Sequence, residues 1–339
     1  MSAPVPVIEF THRHAGHCES GVMASLLSHA GLEVSEPMVL GLSAGLTFAH
    51  FPFIKIGGLP LTSYRMPPGA IARGLARRVG FKLRRRRFRS PHDAIAALDA
   101  MLAAGQPVGI QASVFWLPYF PPQMRFHFNA HNLIVYGREG DEYLVSDPVF
   151  EHPQRCPVDA LTKARFIRGP LAPRGLMYYP QRVPTQLDLA RGLKPAIRRT
   201  ANMMLRTPVP FVGVRAIRRL SHRIGEWPNA RTDTRLARLQ VGQIIRMQEE
   251  IGTGGGGFRF MYAAFLQQAG EQTGNDRLLE ASAAMTEAGD AWRRFALAGA
   301  RIVRDKAREG DAYRALAAEL SRCAEHEEGV YRQLLRAFA

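Results

Sequence analysis

The segment HRHAGHCESGVMASLLSHAG, residues 12–31, decides how the N-terminal part of the chain is organised. Cys18 stands where an amphipathic helix should begin, because apolar residues from Val22 to Leu27 follow it at helical spacing and Gly31 ends the segment as a helix C-cap would. A cysteine at a helix N-terminus faces unpaired backbone N–H groups and the positive end of the macrodipole, and both favour the thiolate. Since the thiolate is the nucleophilic form, Cys18 is a candidate catalytic residue.

A cysteine alone does not define an enzyme. Most free cysteines are small buried hydrophobes, and this alternative applies to Cys18 until a partner is found. A thiol nucleophile needs a base within reach and a group that orients the base. Such partners are normally distant in sequence and are brought together by the fold.

The stretch HFNAHNLIVYGREGDEYLVSDP, residues 127–148, supplies the partners. Its two β runs, joined by a polar turn, predict an antiparallel hairpin with a turn centre between residues 139 and 140. His131 begins the first strand and Asp147 ends the second, so we expect the two to face each other across the pair. His127 is an alternative base. The pattern places a carboxylate beside an imidazole, as an orienting group must lie beside its base.

Composition bounds the class of protein. The chain has 339 residues, of which 46% are hydrophobic and 22% are charged, enough for two domains with a sizeable core. Three cysteines, an odd number, favour a reducing compartment over a disulfide framework. The N-terminal sequence lacks the pattern of a signal peptide, and no apolar run reaches the roughly 18 residues of a membrane span. We therefore predict a cytoplasmic protein with no membrane partner.

The formal net charge is +16, and most of the excess lies in residues 181–246. Such a block attracts nucleic acid, an anionic membrane or an acidic protein, although a solvated basic face without a dedicated partner is the plain alternative. Aromatic residues are not interleaved with these basic residues, and no nucleic-acid-binding motif is present. The pattern therefore disfavours nucleic acid and leaves open an acidic protein partner, an anionic membrane or a solvated basic face.

The sequence pattern changes near residue 180. Before it, predicted helices alternate with predicted strands. The helices are expected at 18–30, 35–42, 69–79, 90–107 and 158–166. The strands are expected at 81–88, 107–115 and 175–179 besides the hairpin, with 45–58 as a strand or extended loop. A linker at 180–186 precedes helical patterns at 186–205, 209–223, 230–250, 257–272, 275–307 and 311–338. This predicts an α+β domain over residues 1–180 and an all-α domain over 181–339.

The cluster H-x-H-x-x-H-C, from His12 through His14 and His17 to Cys18, offers an alternative zinc site. Zinc ligands normally come in two separated pairs, and no second pair follows at finger spacing. We therefore predict no metal. Cys156 and Cys323 are predicted to be structural.

Three stretches resemble known families. The order Cys18, His131, Asp147 resembles the papain-like cysteine-enzyme superfamily, and H-N-L-I-V-Y-G … Y-L-V-S-D-P resembles its bacteriocin-leader peptidases, in which the Asp of the D-P pair completes the triad. GHCESGVMASLLSHAGLEVSEPMVLGLSAGLTF resembles the N-terminal domain of the butirosin biosynthesis protein H acyltransferase family. IGTGGGGFRFMYAAFLQQAGE resembles the helical domain of unknown function that commonly follows it.

These resemblances imply a papain-like fold and an activity in secondary metabolism or antibiotic biosynthesis. An acyl group would pass from an acidic acyl carrier protein, through an acyl-Cys18 intermediate, to an amine or hydroxyl acceptor. No cofactor would be tightly bound, and the phosphopantetheine arm of the carrier would present the donor thioester. A thioester hydrolase or cyclase, a cysteine peptidase with the same triad, and a catalytically silent module that binds an acyl chain or a carrier protein are the alternatives.

The chain departs from the papain-like pattern at one position, because no glutamine precedes Cys18 to serve as the second oxyanion donor. The candidates for an oxyanion or pocket role are His12, His17 and Glu19, with His14 a further possible donor. An apolar, aromatic substrate pocket is predicted from Phe48, Phe51, Phe115 and Trp116.

Overall fold

Helices and strands alternate in the first half of the chain, and helices alone make up the second half. The structure is a computed structural model that describes residues 6–305 and 310–338. The helices are α1 Cys18–His29, α2 Glu36–Leu42, α3 Ala70–Val79, α4 Pro91–Ala103, α5 Val158–Phe166, α6 Leu189–Arg206, α7 Val214–Gly225, α8 Thr234–Glu249, α9 Arg259–Thr273, α10 Asp276–Asp305 and α11 Gly310–Ala337. The strands are β1 Leu46–Ile56, β2 Leu59–Arg65, β3 Lys82–Arg86, β4 Val108–Ala112, β5 His131–Glu139, β6 Glu142–Ser146, β7 Gln154–Pro157 and β8 Met177–Gln181.

Most elements agree with the sequence pattern, and the differences have local causes. Strands β2 and β7 were not predicted, because both are short and lack a strict alternation of apolar residues. Helix α7 begins at Val214 rather than near 209, since Gly213 precedes it with a φ of 72°. The predicted end of α10 at 307 lies outside the described residues. None of the described helices combines the length and apolarity needed to cross a membrane.

The chain forms two compact units whose boundaries differ from the predicted division at residue 180. Of the described residues, the first unit comprises 6–39 and 71–187, and the second comprises 40–70, 188–305 and 310–338. The predicted N-terminal domain is thus interrupted, because the β1–β2 hairpin has its packing partners among the C-terminal helices. The predicted division placed the hairpin in the N-terminal domain because residues of that domain precede and follow it in the sequence.

The first unit is built on a six-stranded antiparallel sheet with the order β3-β8-β4-β5-β6-β7. Successive side chains of β5 point to opposite faces of the sheet, and each face contacts a different helix. Leu133 and Val135 join a buried cluster with Leu98 and Leu102 of α4, whereas Asn132 contacts the first residue of α1. Helix α1 packs against β5, β4 and β8, so its N-terminus is anchored to the centre of the sheet.

The second unit places the β1–β2 hairpin among the C-terminal helices. Phe48, Tyr64 and Trp292 are buried, and their ring centroids lie 5.3 to 5.6 Å apart. Beside them lies a fully buried ion pair, in which Arg259 donates from Nε to Glu327 at 2.8 Å and from Nη2 at 3.1 Å. These contacts explain why the hairpin belongs to the helical unit.

Candidate active site

Cys18 is the first residue of α1, as the sequence predicts. His17 is the N-cap, and its side chain accepts a hydrogen bond from the backbone N–H of Ser20. The first turn of the helix lies close to the residue after Asp147. A Cβ on Gly21 would stand 2.5 Å from Cβ of Ala15 and 3.1 Å from Cβ of Pro148, so only glycine permits this approach without displacement. The close packing fixes the cysteine relative to the end of β6.

The structure brings His131 and Asp147 together. Nε2 of His131 lies 2.7 Å from Oδ2 of Asp147, and both side chains are almost completely buried. Because Nε2 is taken by the carboxylate, Nδ1 is the ring nitrogen left for the thiol, and hydrogen bonding links His131 to Cys18. The three predicted catalytic side chains therefore occupy one site.

The route by which they meet differs from the expected one. The β5–β6 turn lies at Gly140 and Asp141, and a register shift follows between Val135 and Gly137. His131 pairs with Ala112 on the other edge of β5, and Asp147 reaches the imidazole from the position just after β6 ends. The expected pairing of residues 131 and 147 across the hairpin was wrong, because the turn centre lies between residues 140 and 141, one residue later than expected, and the end of β6 at Ser146 therefore pairs with Ile134.

Asp147 is held by two more donors. Tyr119 donates its hydroxyl to Oδ2 at 3.0 Å, and the backbone N–H of Val149 donates to Oδ1 at 3.1 Å. Burial and the neighbouring carboxylate raise the pKa of Tyr119 well above its ordinary value, so this tyrosine stays a donor. The carboxylate thus has a fixed orientation toward His131, as an orienting group requires.

The electrostatics of Cys18 are the reverse of those of the other two cysteines. Burial raises the pKa of the Cys18 thiol, but the charge of His17 and hydrogen bonds to His131 and His17 outweigh it and hold the pKa well below its ordinary value. Burial also lowers the pKa of His131, yet Asp147 and Cys18 together raise it. These shifts favour a thiolate–imidazolium pair, the form required of a thiol nucleophile.

Cys156 and Cys323 provide the contrast within the same chain. Both are free and buried. Burial raises the pKa of Cys156 to about 12, and burial with the charge of Glu327 raises that of Cys323 well above its ordinary value. The thiol state is thus the stable one at these two positions, which agrees with the structural role predicted for them.

Asn132 is a residue of the site that sequence reasoning missed. Its Nδ2 lies 3.7 Å from Sγ of Cys18, and its Oδ1 accepts a hydrogen bond of 2.8 Å from the hydroxyl of Tyr178. Tyr178 thereby fixes the amide with its N–H₂ toward the sulfur. The sequence offered one indication, because Asn132 directly follows His131. However, consecutive strand residues point to opposite faces of a sheet, so the pattern predicted that Asn132 lies away from the site.

His12 was a candidate for the second oxyanion donor. Its Nδ1 lies 2.7 Å from Oγ of Ser146 and its Nε2 lies 3.0 Å from the carbonyl oxygen of Phe150. Both ring nitrogens are thus engaged with the segment around Asp147, which makes His12 a brace for that segment rather than an oxyanion donor. His14 is exposed, and His127 is exposed and stacked on a phenylalanine ring.

His17 and Glu19 flank the cysteine and are both buried. Nδ1 of His17 lies 2.9 Å from Oγ of Ser20, and Oε1 of Glu19 accepts the backbone N–H of Ala72 at 3.1 Å. The histidines of the H-x-H-x-x-H-C cluster therefore have separate surroundings. Within residues 6–305 and 310–338, no group of three or more His, Cys, Asp or Glu side chains is arranged to hold a metal ion.

The predicted aromatic pocket is divided. Phe48 is completely buried in the second unit, and Phe51 packs on aromatic rings of that unit, so Phe48 is a core residue instead of a pocket wall. Phe115 and Trp116 belong to the first unit, where they line an open cavity of about 580 Å³. Cys18 is not among the described residues lining this cavity.

Two family models match the chain. The model described as butirosin biosynthesis protein H, N-terminal, covers residues 17–148, and the domain of unknown function DUF4872 covers residues 159–334. The chain belongs to this two-domain family. The match places it in a cysteine-enzyme family linked to antibiotic biosynthesis and confirms the α+β, papain-like fold class, with helices in the C-terminal part.

Similarity outside the family models is distant. No curated protein matches the chain. Among solved structures, a C39-like peptidase from Bacillus anthracis is similar over 53% of this chain and 96% of its own length, with 17% sequence identity and a TM-score of 0.33.

Proposed function

We propose that the protein is a cysteine-dependent acyltransferase that moves an acyl group from a carrier-protein thioester, through acyl-Cys18, to an amine or hydroxyl acceptor. One observation carries the proposal, namely that Cys18, at the start of α1 and with a lowered pKa, lies beside the His131–Asp147 pair. A thiolate attacking a thioester exchanges one thioester for another, so the step is nearly isoenergetic and needs no nucleotide. A reducing, cytoplasmic compartment suits a free thiolate.

The residues divide the reaction between them. Cys18 Sγ attacks the donor carbonyl carbon, and the bond to the donor sulfur breaks as that sulfur takes the proton from His131. In the second half, neutral His131 accepts a proton from the amine or hydroxyl of the acceptor. The nitrogen or oxygen of the acceptor then forms the new bond to the acyl carbon, and Cys18 leaves as a thiolate. Asp147 keeps the imidazole oriented and stabilises its charged form.

Two donors surround the oxyanion in this proposal. The backbone N–H of Cys18 lies at the helix N-terminus, and the Nδ2 of Asn132 is held toward Sγ by Tyr178. An asparagine from the strand would thus take the place of the missing glutamine. Preorganised donors of this kind commonly supply a large part of the acceleration of acyl transfer.

The donor is proposed to arrive on an acidic carrier protein through its phosphopantetheine arm. Arg191, Lys194 and Arg198 are exposed on α6, within the basic segment 181–246. A surface of this sign steers an acidic partner and raises its association rate. No membrane or nucleic-acid partner is part of the proposal.

Intact-protein mass spectrometry after mixing with short acyl thioesters tests the nucleophile. The wild type should gain the mass of the acyl group, and Cys18→Ala should not. Cys156→Ala is the matched control and should still be acylated, because its thiol has a raised pKa. If no donor, including carrier-bound donors, labels the wild type, the protein is instead a binding module for an acyl chain or carrier.

The fate of the acyl-enzyme separates the remaining alternatives. Acyl transfer predicts that the label persists in buffer and disappears on adding an amine or alcohol acceptor. A hydrolase predicts loss of the label to water alone, and a cyclase predicts an intramolecular product. Cleavage of peptides in the absence of any thioester identifies a cysteine peptidase.

Charge reversal tests the carrier surface. Changing Arg191, Lys194 and Arg198 to Glu should raise KM for a carrier-bound donor and leave KM for a small-molecule thioester unchanged. The same number of reversals at exposed arginines outside the segment is the control, at Arg277, Arg294 and Arg301. Equal effects of both triple variants would contradict a docking role for the segment.

A further inference from the structure

A group of exposed apolar side chains lies at the end of the β1–β2 hairpin, within the second unit. Phe53, Ile54 and Ile56 are 64%, 42% and 47% exposed. Single exposed apolar residues are common on protein surfaces, but several together at one place mark an interaction surface. We call these three side chains the hairpin tip.

The backbone makes the hairpin tip convex. From Phe51 to Lys55, β1 advances four residues while β2 advances one, so β1 bulges where Phe53 stands. Gly57 and Gly58 form the turn with φ of 59° and 83°, and a Cβ on either would meet no atom within 4 Å. The apolar side chains therefore project from the end of a hairpin instead of lining a groove.

The segment 207–213 holds the base of the hairpin tip. The backbone N–H of His50 donates to the carbonyl oxygen of Phe211 at 2.9 Å, and the ring of Phe211 lies 5.0 Å from that of Phe53. Val209 of the same segment is a further exposed apolar residue. The apolar surface is thus supported by backbone hydrogen bonds and ring packing.

The charge of this part of the chain has one sign. Residues 40–70 contain no Asp or Glu, and residues 189–225 contain nine Lys or Arg and again no Asp or Glu. The guanidinium of Arg219 lies 5.0 Å from the ring centroid of Phe211, and Arg215 is exposed one turn earlier on α7. Exposed positive charge therefore adjoins exposed apolar surface.

We propose that the hairpin tip, with Arg215 and Arg219, binds the surface of an anionic lipid bilayer. Phe53, Ile54 and Ile56 would enter the boundary between headgroups and acyl chains, and the two arginines would contact lipid phosphates. A bilayer accepts a convex apolar end of any outline, whereas an acidic protein needs a cavity matched to it. Peripheral binding requires no spanning helix, and the sequence prediction of no membrane partner rested on the lack of one.

The strands themselves disfavour a second copy of the chain as the occupant. β1 bonds to β2 on one edge and pairs through Ala49 with Val212 on the other, so neither edge of β1 is open along that stretch. Nearer the tip, Pro52 and Pro60 lack the N–H group that strand pairing uses. Strand-to-strand association at the tip is therefore blocked.

Co-sedimentation of the full chain with lipid vesicles tests the proposal without any acyl donor. The wild type should bind phosphatidylcholine vesicles that contain about one-third phosphatidylglycerol, and should bind phosphatidylcholine alone at least about tenfold more weakly. The variant Phe53→Ser, Ile54→Ser, Ile56→Ser should lose about tenfold or more in affinity for the anionic vesicles. The matched control changes three exposed apolar residues on helices of the same unit, by Leu239→Ser, Leu297→Ser and Val303→Ser. It should bind as the wild type does.

A second pair of variants tests the charge. One basic residue near an anionic surface is worth about fivefold in affinity, so Arg215→Gln with Arg219→Gln should weaken binding roughly twenty-five-fold. Arg294→Gln with Arg301→Gln removes two exposed charges from α10 and should change binding little. Added salt should weaken the wild type, because it screens the arginines.

Three results would overturn the proposal. The first is a wild type that does not bind vesicles or binds both kinds equally, and the second is a serine variant of the tip that binds as the wild type does while Tm is unchanged. The third is a wild-type dimer, dissociated by the tip variant and indifferent to vesicles, which would make the tip an interface between copies. Cys18→Ala should still bind vesicles, so this proposal and the acyltransferase proposal fail independently.

Discussion

Replacing Asn132 by alanine should separate acylation of Cys18 from its alkylation. The side chain places Nδ2 3.7 Å from Sγ, where it would donate to the oxyanion that forms when a thioester is attacked. Loss of one such donor costs about 2.7–4 kcal/mol, a fall of roughly 10²- to 10³-fold in the rate of acylation. Alkylation by iodoacetamide displaces iodide at a saturated carbon and forms no oxyanion. Its rate, measured at a pH where the thiol is fully ionised, should therefore change little.

The contacts of Asn132 also give the controls. Tyr178→Phe leaves the donor in place but removes the 2.8 Å bond that orients the amide. A neutral hydrogen bond contributes about 1 kcal/mol, so acylation should slow only about fivefold. Asn132→Ala leaves the Tyr178 hydroxyl buried and unpaired at a cost of about 1–3 kcal/mol, which thermal unfolding should register as a lower Tm. If acylation in Asn132→Ala falls no more than alkylation does, Asn132 is not an oxyanion donor.

Other contacts in the chain give three further expectations. Alkylation of Cys18 should reach its plateau at a lower pH than that of an ordinary cysteine, because its lowered pKa keeps the thiolate populated above that pKa; a rate that still rises tenfold per pH unit up to the usual thiol pKa of about 8.5 would contradict this. Gly21→Ala should lower Tm, since its Cβ would lie 2.5 Å from Cβ of Ala15 and 3.1 Å from Cβ of Pro148, whereas Gly329→Ala, whose Cβ would meet no atom within 4 Å beyond its own helix backbone, should stabilise by about 0.5–1 kcal/mol. Glu327→Gln should cost about 3–5 kcal/mol in urea unfolding by stranding the charge of the buried ion pair.

Cys18, His131 and Asp147 could be predicted because each stands at a recognisable position in a local sequence pattern. A cysteine heading an amphipathic segment indicates a helix N-terminus, and a histidine and an aspartate at the ends of paired β runs indicate proximity. What the pattern does not fix is the register, because a polar turn such as REGDE can be centred at more than one residue. The proximity of His131 and Asp147 was therefore predicted through a direct cross-strand pairing that the hairpin does not make.

The site residue that the sequence missed depends on a tertiary contact. Asn132 contributes only because α1 crosses the start of β5. Phe48 was wrongly predicted to line the substrate pocket. An aromatic stretch with interspersed glycines has the same sequence pattern whether it lines a pocket or packs in a core.

Residues 40–70 interrupt the sequence of the first unit but belong to the second, and this has a consequence during synthesis on the ribosome. Tyr64 leaves the exit tunnel about 230 residues before its ring partner Trp292. At a translation rate of roughly 5–20 residues per second, the apolar side chains of the hairpin remain uncovered for about 10–45 s before Trp292 emerges. A nascent chain in this state is a natural client for chaperones. For the same reason, residues 188–339 expressed alone would lack the aromatic rings that cover Trp292, and a usable helical fragment would have to be supplied with residues 40–70.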